Sequence, residues 1–453
     1  MNNLNQIEKR SRIGEVKKDF KVRTDFILAG RVIAKRSFSK ILFLDLKDQS
    51  GIIQIIFERS ESGLKILNEG QEIALGDIIL VKGETYLTKR NEQSLLIKDF
   101  LILNKNRDPY FFGFKRAKRS NLYEDKYKEL AVDQEKFRYY INCSSLKFGI
   151  RKALFDRGFL EFDTGILQSR LEGGFAHPFK TYCRSLDRNL YLRMTGEIKL
   201  KQLLASGYEK IFEMGKIFRN EGFSFKSSPE FTLLDCYWAL SNYHKMMELF
   251  ESIIKETVSD TFGKIEFRTS NGIINLAQCW RRVSFEKIAK EILGEDLSFL
   301  EDENKIRYTL LQKGVKNFTS ETKEQMVRKL IGKIVIPKII TPTYITDVPA
   351  IALPLAKVSP ENKKLSEGAF LVIDGLFVGD TYNDENDPGV MKEKLISQTK
   401  NTGKPLNDHF LDLLEFGIPP SAGFGLGINQ LLLLFRGNIQ SDIRKTSICS
   451  PLN

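Results

Sequence analysis

Between residues 22 and 103 apolar positions alternate with polar ones or gather in short apolar bursts. DFILAGRVIAK, ILFLDLKDQSGIIQIIFE, DIILVKGETYLT and SLLIKDFLILN read as strands, with DQSG and KGE as turn signals. Five or so strands within about eighty residues, and no helical stretch longer than GLKILNEG, predict a small β-barrel of the OB type. A generic antiparallel sheet fits the same pattern.

The pattern then changes. Residues 104–140 are strongly charged and read as a linker passing into a helix. From 141 onward helical and strand periods mix. SLKFGIRKALFDRGF and SNYHKMMELFESIIKETVSDTF are amphipathic at helical spacing, whereas KIFEMGKIFRNEG, FTLLDCYWAL and AFLVIDGLFVGDTY read as strands. The expected division is a barrel over 1–105, a linker over 106–140, and an α+β domain over 141–453 with a helix-rich insert at 284–335.

Length agrees, since 453 residues exceed one ordinary core. The opening stretch MNNLNQIEKRSRIGEVKKDF carries charges and no apolar core of the targeting kind, and runs such as LLLLF are far too short to span a membrane. Cys143, Cys183, Cys236, Cys279 and Cys449 form no CxxC pair, and the three histidines are far apart. That argues against structural zinc and for a reduced, cytoplasmic setting. Lys and Arg outnumber Asp and Glu by 70 to 58, a balance of +12 that suits a polyanionic partner.

Two stretches carry candidate chemistry. In GFGLGINQLLLLF, Gly423, Gly425 and Gly427 leave one strand face without side chains, so a ligand can approach the backbone. The polar pair that follows, Asn429–Gln430, is neutral. In KIFRNEGFSFKSSPEFTLLDCYWA two strands flank a polar loop. Side-chain alternation puts Arg219 with Glu221, and Asp235 with Tyr237. An arginine facing a cleft can grip a phosphate with its rigid fork of donors, and a structural Arg–Glu pair on a sheet face is the alternative.

These stretches occur in order with RLEGGFAHPFKT and YLRMTGEIKLKQLL, and the set resembles the class II aminoacyl-tRNA synthetases, specifically the lysyl-tRNA synthetases. FEMGKIFRNEGFSFKSSPEFT is similar to class motif 2 and GIPPSAGFGLGINQLLLLF to class motif 3; GRVIAKRSFSKILFLDLKDQSGIIQ resembles the family's anticodon-binding OB domain. The resemblance implies a catalytic domain built on an antiparallel sheet flanked by helices, usually dimeric through motif 1. It also implies a two-step reaction: lysine attacks the α-phosphate of ATP, with Mg²⁺ as the accompanying ion, and the adenylate then acylates tRNA.

Carried over position by position, the resemblance gives an amino-acid pocket of Gly174, Glu197, Asp235, Tyr237, Asp380, Tyr382 and Asp384. Glu197 matches the carboxylate that receives the α-ammonium, and Asp384 stands where a glutamate holds the ε-ammonium. Asp380 and Tyr382 replace an Asn and a Phe. Several carboxylates in one pocket imply a cationic substrate. For ATP the matching residues are Arg219, Glu221, Phe231, Lys226, Gly425 and Gly427, with Phe231 under the adenine. Phe43, Gln54 and Glu92 match positions that read anticodon bases, while a barrel-core role is the alternative for Phe43.

The departures fall together. Two family carboxylates that bind Mg²⁺ align with Phe370 and Phe377, which offer a hard cation no oxygen. Gln430 stands where motif 3 has an arginine against the γ-phosphate, and the loss of a charged donor there costs roughly 3–4 kcal/mol. Asp374, Asp380, Glu385 and Arg436 are near enough in sequence to compensate. Gly165 replaces the motif 1 proline. Two readings follow from this: a lysine–tRNA ligase using ATP and Mg²⁺, or a catalytically impaired paralogue that binds tRNA or a cationic amino acid in a regulatory role. A ligase acting on a protein or small molecule is disfavoured by the presence of the OB-like domain.

Overall fold

The computed structural model describes residues 7–58, 64–107, 126–170, 177–222, 224–316, 318, 321–402, 408–436 and 442–447. Two compact units divide at Phe137 and Arg138. The first is a closed five-stranded barrel of β1 (Asp25–Ser37), β2 (Ile41–Lys47), β3 (Ile52–Glu58), β4 (Ile78–Leu87) and β5 (Gln93–Asn104), in the order β1-β2-β3-β5-β4. The period-two pattern does what it predicts on β2. Leu42, Leu44 and Leu46 are fully buried in the barrel, and Phe43 and Asp45 face outward. GLKILNEG forms the helix Leu64–Gly70 between β3 and β4.

One turn signal is corrected. DQSG does turn, with Asp48 Oδ1 accepting the Ser50 and Gly51 amides at 2.7 and 2.9 Å. KGE instead lies inside β4, where the register with β5 shifts between Lys82 and Gly83. A Cβ on Gly83 would sit 2.3 Å from the Leu96 carbonyl oxygen, so the glycine serves a bulge and a close strand approach.

Residues 108–125, most of the charged stretch, lie outside the described residues. Its end is helical earlier than the sequence suggests, with helices Lys126–Val132 and Gln134–Asp156.

In the second unit, β6 (Leu160–Glu161) sits at one edge of an eight-stranded sheet, while β7 (Leu167–Gln168), β8 (Lys180–Cys183) and β9 (Arg188–Leu192) form a small separate one. β10 (Lys210–Phe218) and β11 (Glu230–Ala239) make the long hairpin, and β12 (Glu266–Thr269) with β13 (Gly272–Asn275) a short one. β14 (Arg281–Ser284), β15 (Thr343–Thr346), β16 (Gly368–Ile373), β17 (Leu376–Asn383) and β18 (Ser421–Gly427) complete the large sheet in the order β14-β15-β16-β17-β18-β11-β10-β6. Its centre is antiparallel, but β14–β15 and β6–β10 pair in parallel, so the sheet is mixed at both edges. AFLVIDGLFVGDTY splits into β16 and β17 because Asp374 and Gly375, at φ 55° and 67°, make a tight turn.

One face of this sheet is the core. Helices Gln134–Asp156 and Tyr243–Phe262 pack there; Phe250 stacks on Phe424 at 3.9 Å, amid Leu234, Cys236 and Leu426. Asn242 caps the second helix by accepting the Lys245 amide, and Gly263 ends it at φ 64°. The opposite face is left for chemistry. The insert contributes helices Glu303–Gln312 and Lys323–Leu330, whose apolar sides join a cluster with Phe370 and Val372.

Candidate active site

A cavity of about 530 Å³ opens on that second face. One lateral row crosses five strands there, with Phe370 opposite Asp380, Asp380 opposite Gly425, Gly425 opposite Asp235, and Asp235 opposite Glu213, and all but Glu213 line the cavity. Directly paired residues share a face, so the row presents a phenyl ring, a carboxylate, a gap and two more carboxylates. Glu213 is neutralised by buried Arg193 and accepts the Thr164 amide at 3.2 Å.

The three alternating glycines each clear space, but not for the same thing. A Cβ on Gly423 would meet the Tyr237 ring at 2.7 Å, and one on Gly427 would meet Gln430 Oε1 at 2.4 Å. The protein's own side chains fill those two gaps. At Gly425 the nearest atoms are Asp380 Oδ1 at 2.9 Å and Asp235 Oδ1 at 3.6 Å, so this gap lies between two acids and faces the cavity.

Both acids are perturbed. Burial, reinforced by the charge of Glu197, pushes Asp235 up to about 7, against the Gly196 amide and Arg219. The same two causes push Asp380 up to about 6, again opposed by Arg219. A row of acids short of positive charge is poised to take a cation.

Glu197 and Asp384 are supplied from within. Lys201, four residues after Glu197 on the helix Glu197–Ala205, is 1% exposed and places Nζ 2.8 Å from Glu197 Oε1 and 2.7 Å from Asp384 Oδ1. Burial alone would make this ammonium shed its proton, but Asp384 and Glu197 hold it above the ordinary lysine range. Asp384 also accepts from Ser421 Oγ at 2.8 Å and is not among the residues lining the cavity. Its charge is directed to Lys201 rather than to the cavity. Glu197 does line the cavity, and its Oε1 receives Tyr382 Oη at 3.0 Å as well. Tyr237 and Tyr382 complete the wall, and Gly174 lies outside the described residues.

Arg219 lies past the end of β10, its Nε donating to the Met194 carbonyl at 3.2 Å and its guanidinium 5.3 Å from the Phe231 ring centre. Glu221, Phe231, Gly427 and Gln430 line the same space. Lys226 does not; its Nζ donates to the Gly375 carbonyl at 3.3 Å. Phe370 and Phe377 meet edge to face at 5.3 Å on the cavity wall. They do not fit Mg²⁺, and among the described residues no group of three or more His, Cys, Asp or Glu side chains is arranged to hold a metal.

Of the four compensating candidates, only Asp380 reaches the cavity. Asp374 accepts from Thr269 and Asn271, Glu385 pairs with Lys394 at 3.0 Å, and buried Arg436 lies over the Tyr139 ring. Asn429 pins the sheet to the chain's end, accepting the Thr232 amide and donating to Thr446, both at 2.6 Å. The sequence reading missed Lys201 and Arg328. An i,i+4 carboxylate–cation spacing marks both, Glu197 with Lys201 and Glu324 with Arg328, but nothing local shows that Arg328 lines the cavity from the insert.

The raised carboxyls give a pH dependence. Asp235 and Asp380 keep protons in the folded state that the unfolded chain, with carboxyls near 3.8, has released. Between about pH 4 and 7 the ligand-free protein therefore loses stability as pH rises, then levels off. A cationic ligand displaces those protons, so affinity for an amine probe, with free lysine as the one used, should rise about tenfold from pH 5.5 to 7.5 if it binds between these acids. Thermal midpoints across that range, with isothermal titration of lysine, check both slopes; a flat lysine profile would contradict them.

The barrel carries a second candidate surface. Gln54 on β3 pairs with Asp45 on β2, which is two residues from Phe43 on the same outer face. Phe43 is thus not barrel core; it meets exposed Phe38 edge to face at 6.1 Å. Gln54, Asp45 and Glu92 border a hollow of about 400 Å³, and Gln54 Oε1 accepts from Ser94 Oγ at 3.1 Å. An aromatic ring beside amide and carboxylate groups on an open sheet face suits stacking and edge reading of unpaired bases.

A family model described as class II tRNA synthetases (D, K and N) matches residues 120–448, and one described as an OB-fold nucleic acid binding domain matches residues 26–103. The chain is 33% identical to lysine–tRNA ligase 2 of Methanosarcina acetivorans over 90% of its own length and 82% of that protein's. It is also 33% identical to the lysine–tRNA ligase of a Nostoc species, over 91% and 76% of the two lengths. For the lysine–tRNA ligase of Carboxydothermus hydrogenoformans the identity is 32%, over 90% and 85%.

Proposed function

The chain belongs to the class II tRNA synthetases of the lysyl branch, and on that footing we propose that it joins lysine to tRNA at the expense of ATP. The observation that carries this is the cation-deficient acidic row at Gly425 beside Arg219 and Phe231 in one cavity. Lysine's α-ammonium is received at Glu197, and its second ammonium by the gap between Asp235 and Asp380. The lysine carboxylate attacks the α-phosphorus, the bond to the bridging oxygen breaks, and pyrophosphate departs. No protein nucleophile is needed; orientation and charge stabilisation supply the rate. Arg219 neutralises charge at the reacting phosphate while Phe231 receives the adenine. A tRNA hydroxyl then attacks the adenylate's acyl carbon, the acyl–phosphate bond breaks and AMP leaves as the hydroxyl gives up its proton, while the tRNA anticodon meets Phe43, Gln54 and Glu92.

A homodimer is part of this reading. On the helix Gln134–Asp156, Phe148 and Phe155 are 68% and 67% exposed, and Leu160, Ile166 and Leu167 add further exposed apolar surface nearby in sequence. Large apolar side chains left this exposed are what a second copy of the chain would cover. We also place the protein in the cytoplasm, where Cys143, Cys183, Cys236 and Cys279 stay as the free thiols they are here. None of the described helices is long and apolar enough to cross a membrane.

The Phe370–Phe377 contact and neutral Gln430 favour a second reading, a paralogue that binds tRNA or a cationic amino acid without forming adenylate. Lysine-dependent pyrophosphate exchange with Mg·ATP separates the two. Exchange at ordinary synthetase rates excludes the paralogue, and its absence with tRNA binding retained excludes the ligase.

A further inference from the structure

Three positions that would oppose triphosphate charge in this family are Phe370, Phe377 and Gln430, none of them ionic. The insert supplies a charge to the same cavity. Helix Lys323–Leu330 puts Arg328 on the cavity wall, followed by Ile331 and Gly332. Among the described residues lining the cavity, Arg219 and Arg328 are the only lysines or arginines.

Arg328 is held in a definite way. Its Nε lies 3.1 Å from Glu324 Oε1, one helical turn earlier. Glu324 is only 5% exposed, and a carboxylate buried to that degree needs a cationic partner. The arginine side chain remains 45% exposed, so it is not enclosed. Its charge also reaches Asp380, whose proton affinity it lowers, and Asp380 is the direct cross-strand partner of Phe370. Arg328 and Phe370, the ring that stands where the family has a metal-binding carboxylate, thus line one cavity.

We propose that Arg328, oriented by Glu324, is the group that meets the nucleotide's phosphates in this protein, in place of a protein-held metal and the motif 3 arginine. The inference rests on the reading that the cavity takes ATP. An arginine suits the task because its planar fork makes paired charge-assisted bonds to phosphate oxygens. It also explains how an unpaired acidic row and two phenyl rings can share a cavity with a polyanion.

The test is isothermal titration of wild-type, R328Q and R328K full-length protein with Mg·ATP and separately with lysine, alongside exchange kinetics. R328Q should bind ATP at least about tenfold more weakly, with the apparent KM for ATP raised accordingly and lysine affinity changed far less, only through Asp380. R328K should recover only part of the loss, since it keeps the charge but not the fork. R328Q binding ATP like wild type overturns the proposal, because a mere helix-surface pair with Glu324 would give that result. Wild type that binds no ATP overturns it too, together with the reading beneath it. ATP binding that depends on Arg328 without lysine-dependent exchange upholds the proposal while defeating the ligase reading.

Discussion

Replacing Lys201 with methionine is expected to destabilise the catalytic unit by about 3–5 kcal/mol. Lys201 Nζ is the shared partner of Glu197 and Asp384, at 2.8 and 2.7 Å, and the side chain is almost fully enclosed. Methionine fills a similar volume between the Tyr237 and Phe410 rings, so packing changes little and the loss is electrostatic. Buried Asp384 and half-buried Glu197 are left without their shared cation, and each must take up a proton or repel the other. The loss should accordingly be larger at pH 8 than at pH 5. Urea unfolding at both pH values measures it, and the double variant K201M/D384N should recover a substantial part by removing one stranded charge. A K201M protein as stable as wild type at pH 8 would show that the triangle contributes nothing.

Arg219→Gln should lower lysine-dependent pyrophosphate exchange by about 10²–10³, equivalent to about 3–4 kcal/mol of transition-state stabilisation. Arg219 lines the cavity, lies 5.3 Å from the Phe231 ring centre and acts electrostatically on both Asp235 and Asp380. On the proposed function the substitution removes a charged donor at the reacting phosphate, and it withdraws a charge that helps the acidic pair ionise. Lysine should therefore bind less tightly as well, through a higher proton affinity at Asp235 and Asp380. R219K should not restore the rate, because an ammonium cannot reproduce the planar fork. Exchange within about threefold of wild type would assign Arg219 a structural role only, tied to its bond with the Met194 carbonyl.

The barrel was almost wholly legible in the chain. A period of two is a local property, so Leu42, Leu44 and Leu46 declare the inside of β2 without reference to any other strand. The misreading of KGE shows where that ends. A glycine between polar residues signals a turn or a bulge equally well, and only the Leu96 carbonyl on the neighbouring strand distinguishes them. In the candidate site the residues on β11, β17 and β18 were readable because strand alternation and motif order specify both their face and their neighbours.

What the sequence by itself determined is which residue types face the catalytic side and which charges are missing there: Phe370, Phe377 and Gln430 are apolar or neutral in any arrangement. Only the tertiary structure decided where the remaining charges go. It turned Asp384 toward Lys201, carried Arg436 to Tyr139, and brought Arg328 from the insert to the wall of the cavity that Asp380 also lines. The physical reason is that a side chain's direction follows from its own strand or helix, whereas its partner is whichever group the fold brings within a few ångströms. Coulombic and hydrogen-bond energies depend on that separation and on burial, and neither is written into any single stretch of chain.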